Sequence, residues 1–112
     1  MRKTIKFEID LDENHLPVDI KMNTSEDQKG NNKIKALMIS AWASKNKETL
    51  RIDLWTKDMP VNEMFIMYYQ TMVGMAGALE RSTGQNKLAG ALLDYCEFFA
   101  EQTKIKNPKD PC

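Results

Sequence analysis

A chain of 112 residues can build one domain around one core, and not two. Hydrophobic residues make up 42% and charged residues 29%, the balance of an ordinary globular protein. Sixteen basic residues offset sixteen acidic ones, so there is no surplus of cation to displace counterions from phosphate, and nucleic acid is not an expected partner.

The opening "MRKTIKFEIDL" begins with basic residues, but Lys6, Glu8 and Asp10 interrupt its apolar positions, so it is no signal-peptide core. Residues 4–11 alternate as a strand does. Ile5, Phe7, Ile9 and Leu11 share one face; Thr4, Lys6, Glu8 and Asp10 share the other. The turn "DENHLP" follows, and "VDIKM" resumes the alternation with Val18, Ile20 and Met22, which predicts a first hairpin. Residues 23–33, "NTSEDQKGNNK", hold no apolar side chain and read as a loop. A third strand is expected over 34–44. Leu37, Ile39 and Ala41 lie on one side of it, with Ala36, Met38 and Trp42 on the other. "KNKE" then turns the chain into "TLRIDLW", where Leu50, Ile52 and Leu54 face the core and Arg51, Asp53 and Trp55 face away.

The rest reads as helix. Asp58 is the expected N-cap of a helix that carries Pro60 in its first turn and ends near Ser82–Thr83, with Gly84 as its C-terminal glycine. Its core stripe is Val61, Met64, Phe65, Tyr68, Met72, Met75, Ala76 and Leu79. A second helix, 86–104, buries Leu88, Ala89, Leu92, Cys96, Phe99 and Ala100. The whole predicts an α+β fold, a four-stranded antiparallel sheet of two hairpins followed by two C-terminal helices packed on one face. Ile5, Phe7, Ile9, Leu50, Ile52 and Leu54 are expected beneath the helices. Residues 1–104 then form a single domain, and 105–112 form a flexible tail.

The first helix has an unusual surface. From Met64 through Leu79 it carries no charge, so Ile66, Met67, Tyr69 and Val73 leave apolar surface outside the core stripe, with Gln70 among them. Such a helix is buried on more than one side, and a homo-oligomer, most simply a dimer, is expected to use Ile66, Met67, Tyr69 and Val73. The face of Arg51, Asp53 and Trp55 is either a recognition patch, since Trp and Arg anchor interfaces, or ordinary strand surface with one Arg–Asp pair.

Other motifs carry less. "DLDEN", Asp10–Asn14, opens like a calcium loop, but the positions that require Gly and a bidentate Glu hold His15 and Lys21. His15 is the only histidine and has no cysteine at zinc-ligand spacing. Cys96 sits on an apolar stripe, where a thiol packs as a small hydrophobe, and Cys112 ends the chain; two cysteines make no disulfide framework. No run approaches the ~20 apolar residues of a membrane span. These residues predict a cytoplasmic protein that is not an enzyme and has no cofactor or metal.

At "TLRIDLWTKDMPVNEM", and again at "DYCEFFAEQ", the sequence resembles the gliding motility protein GldC family of Bacteroidota. The resemblance extends through "IKFEIDLDENHLPVDI" and "SAWASKNKETLRIDLWTKDMP", nearly the whole chain. It implies a small cytoplasmic accessory protein of the gliding motility machinery that works by protein–protein interaction. The partner would be a gliding or secretion component, and no catalytic residue is implied. The element order also resembles the export chaperone SecB, whose analogy implies a holdase for exposed apolar segments.

Overall fold

The computed structural model describes residues 1–25 and 32–105. It divides into two compact units, Met1–Met59 and Pro60–Cys112. The first holds β1 (Ile5–Leu11), β2 (Pro17–Thr24), β3 (Asn32–Ile34), β4 (Ala36–Ala43) and β5 (Glu48–Trp55). The second holds α1 (Val61–Thr83) and α2 (Asn86–Thr103). The α+β class and the two C-terminal helices agree with the sequence.

The single four-stranded sheet does not. The strands form a three-stranded antiparallel sheet, β1-β2-β3, and a separate antiparallel pair, β4-β5. The expected third strand is broken at Lys35, and the reason lies in its parity. Ile34 pairs with Ile20, whereas the apolar positions beyond the bend are the odd-numbered Leu37 and Ile39, paired with Leu54 and Ile52. A straight strand would send Ile34 and Leu37 to opposite faces. The bend resets the alternation and passes the chain from one sheet to the other. The expected polar loop also shrinks, because β2 continues to Thr24 and β3 begins at Asn32. Residues 26–31 of the expected loop and 106–112 of the expected tail, with Cys112, lie outside the described residues.

Within the first sheet, Phe7 and Met22 face each other, as do Ile9 and Ile20, and Ile20 is wholly buried. Leu37 is the buried residue of the second. The side chains expected beneath the helices are less covered than their pattern implies. Leu50 and Ile52 remain 56% and 50% exposed, and Ile5 and Ile9 are also exposed. The expected burial is not met at these four positions, because apolar periodicity reports which residues share a face and not what lies on it.

The helices form a hairpin closed by Gly84 and Gln85. Gly84 takes the left-handed conformation (φ 73°) and donates its N–H to the Glu80 carbonyl, as a C-terminal glycine does. Ala76, Ala89 and Cys96 are buried, and Phe65 meets Phe99 edge-on at 6.1 Å. Small side chains at the buried positions allow the two helices to pack closely, and the aromatic pair adds an edge-on contact farther from the turn. On α1, Met64, Phe65, Met72 and Leu79 are half-buried, while Val61, Tyr68 and Met75 of the expected core stripe are exposed. Leu88 of α2 is exposed as well. The expected N-cap is also displaced. The cap position is Pro60, without a side-chain hydrogen bond, because Asp58 is engaged elsewhere.

Candidate functional site

The site grows from the residues that follow β5. Thr56 is buried; its N–H donates to the Lys35 carbonyl at 2.8 Å, and its hydroxyl donates to Asp58 Oδ1 at 2.6 Å. Lys57 donates its N–H to the Pro17 carbonyl at 3.0 Å and its ammonium to Asp12 Oδ2 at 2.8 Å. One short segment therefore ties together the bend at Lys35, the start of β2 and the β1–β2 turn. Each sheet on its own would be a small, marginal structure. These bonds fix one against the other.

The turn is built to present Asp12. Its Oδ1 accepts the N–H groups of Asn14 at 2.8 Å and Leu16 at 3.0 Å, while His15 adopts φ 64° to close the loop. The Lys57 ammonium, and after it the Leu16 N–H, holds the Asp12 carboxyl below the usual carboxylate range. The Thr56 hydroxyl does the same for Asp58, helped by Lys35 with its ammonium 3.9 Å from Asp58 Oδ2. The carboxylate in the middle of "DLDEN" is thus committed to Lys57 and two backbone amides. Among the described residues no cluster of three His, Cys, Asp or Glu side chains is placed to hold a metal ion.

Beside this junction opens a groove of about 460 Å³ lined by Leu16, Pro17, Asp53, Leu54, Trp55 and Lys57. Trp55 forms its wall and is 53% exposed. Its cross-strand neighbour is Ala36, too small to cover the indole. Arg51, Asp53 and Trp55 share the face of β5 that the alternation assigned them. Arg51 grips Asp53 through two nitrogens, Nε to Oδ2 at 3.2 Å and Nη2 to Oδ1 at 2.5 Å, and donates through Nη1 to Ser40 Oγ. The Arg–Asp pair therefore exists, and Trp55 stays open beside it.

The register adds a residue the sequence reading passed over. Trp42, opposite Thr49, lies on the same face as Ser40, Arg51 and Trp55 and is exposed. The hairpin thus presents an indole near each end with a charged pair between them. The signal was present in the sequence, as Trp42 has the parity that pairs with the odd-numbered positions of β5. On α1, Ile66, Met67 and Tyr69 are half-buried and Val73 is exposed. Cys96 is buried, and burial pushes its thiol up from the usual value. His15 lies in the β1–β2 turn.

No helix among the described residues is long and apolar enough to cross a membrane. No curated protein and no solved structure matches the chain. The family described as "Gliding motility-associated protein GldC-like" matches residues 17–105, from the start of β2 to just beyond α2. That is well over half of the sequence, and the chain belongs to this family.

Proposed function

We propose that this member of the gliding motility-associated GldC-like family is a cytoplasmic accessory protein of the gliding machinery, acting by protein–protein contact and catalysing no reaction. The observation that carries the reading is the family match across 17–105. The groove beside Trp55 is the surface offered to the partner. Its apolar walls suit an aromatic or branched side chain of a partner segment, and an exposed Trp is a common interface anchor. Asp12, Asp58 and Cys96 are each shifted by contacts that hold the fold, which agrees with a binding role. Cys96 as a buried free thiol agrees with a reducing compartment.

The test is affinity purification of the tagged chain, beside its Trp55→Ala variant, from a gliding cell. A single partner recovered in fixed ratio with the native chain, and lost with Trp55→Ala, is the expected result. Retention of that partner by the variant would remove the groove from the proposal. Suppression of the aggregation of unrelated unfolded proteins, with no stoichiometric partner, would replace the accessory role by a holdase.

A further inference from the structure

The α1–α2 hairpin carries a second apolar seam that the hairpin itself does not use. The seam between the helices runs at seven-residue spacing through Phe65, Met72 and Leu79 on α1 and Ala89 and Cys96 on α2, all buried or half-buried. Val61, Tyr68 and Met75 repeat the same spacing, each four residues before one of the α1 seam positions. Leu88 and Tyr95 repeat it on α2, each one residue before a buried position, and Phe98 follows Tyr95 by three. At 3.6 residues per turn both sets are rotated in the same sense from their seam. In an antiparallel pair, rotation in the same sense brings them to the same side of the hairpin. The aromatic contacts agree: Phe65 meets Phe99, Phe99 meets Tyr95 at 6.3 Å, and Tyr95 meets Phe98 at 6.0 Å, a chain of rings running outward from the seam.

All six of these side chains are open, with exposures from 43% to 69%. At roughly 200 Å² for a large side chain, they leave on the order of 650 Å² of apolar surface facing solvent. That exceeds the largest patch of a typical monomer, about 300–600 Å², and approaches the ~800 Å² that each partner gives to a stable interface. Within α1 and α2 the charged residues Glu63, Glu80, Arg81, Lys87, Asp94, Glu97 and Glu101 fall outside the arc that the six span.

We infer that this face is the contact between two copies of the chain, which join their hairpins into a four-helix bundle about a two-fold axis. Three observations select a second copy as the occupant. A second seam at the same heptad period, beside the first, is what a helix carries when it has two helical neighbours. The face has no charge to repel its own image, and none that would select an oppositely charged partner. Its area is that of one half of a symmetric interface, where the same patch serves both sides. Tyr, Phe and Met, which dominate it, are the side chains that such interface cores favour. The contact lies on the helical unit, so it stands or falls independently of the Trp55 groove.

The test is sedimentation of the full chain across the micromolar range, with helicity followed by circular dichroism. The native chain is expected at twice its 12.9 kDa mass. Met75→Glu with Leu88→Glu should sediment as a helical monomer. If that pair unfolds, Met75→Ser with Leu88→Ser should still raise the dissociation constant at least tenfold with helicity kept. Leu93→Glu, exposed on the other side of the hairpin, should leave the dimer intact. A native chain that remains monomeric at high micromolar concentration would overturn the inference. So would a dimer unaffected by the serine pair, or one dissociated by Leu93→Glu.

Discussion

The two units are held by different means. Among the described residues of the sheet unit the buried apolar side chains are Ile20 and Leu37, and the unit is fastened by directional bonds from Thr56 and Lys57 to Lys35, Pro17 and Asp12. The helical unit depends on close packing at Ala76, Ala89 and Cys96, and among the described residues its side-chain hydrogen bonds lie at the helix ends. Directional bonds specify one geometry while leaving the adjoining surface open, so the sheet unit can present a groove at its junction. Packing of small side chains specifies only a distance between helices and leaves their outer arcs free for a further neighbour.

The largest effect should come from Ile20, a large and wholly buried side chain of the sheet unit. Ile20→Ala should cost about 2–5 kcal/mol, read from urea unfolding by the fluorescence of Trp42 and Trp55, both of which lie in that unit. In the helical unit the corresponding damage is overfilling. Ala76→Leu should cost about 1–3 kcal/mol, read by helicity, because the α1–α2 distance has no room for the added carbons. If Ala76→Leu is neutral, packing does not set that distance and the contrast fails. Gly84→Ala comes next at about 1–2 kcal/mol, the backbone cost of the left-handed conformation; a new Cβ there would meet no atom within 4 Å.

The two units should also respond to opposite ends of the pH scale. Asp12 and Asp58 have folded pKa values below the ordinary 3.8, so the unfolded chain takes up protons first as pH falls. The stability they contribute is complete above 3.8 and is lost as pH drops below it. Asp12→Asn should therefore flatten the acid limb of a stability profile. Cys96 is shifted up from 9.0 by burial, so above that value the unfolded chain gives up its proton first and folding weakens. Cys96→Ala should flatten the alkaline limb. An acid limb unchanged by Asp12→Asn would show that the Lys57 contact does not persist in solution. The smallest effect on stability belongs to Trp55→Ala, within about 0.5 kcal/mol, because its indole is half in solvent.

Much of this was legible in the sequence. Alternation located four strand segments and put Arg51, Asp53 and Trp55 on one face; Gly84 marked the end of α1. The break at Lys35 was also written there, in the change from even Ile34 to odd Leu37, but a parity change is easily absorbed when one long strand is assumed. The junction was not legible, because Lys57 reaches an aspartate 45 residues away and no local pattern encodes that pairing. Asp58 shows the same limit. A residue with the chemistry of an N-cap was claimed instead by Thr56 and Lys35. The core stripe of α1 was wrong at Val61, Tyr68 and Met75 because periodicity cannot distinguish a face that is covered from one that awaits cover.

The most direct test of the central claim is complementation in a gliding bacterium whose own GldC-like gene is deleted, measuring colony spreading. The native chain should restore spreading, and Trp55→Ala, accumulated to the same level, should not. Full spreading with Trp55→Ala, or no spreading with the native chain at normal abundance, would contradict the account.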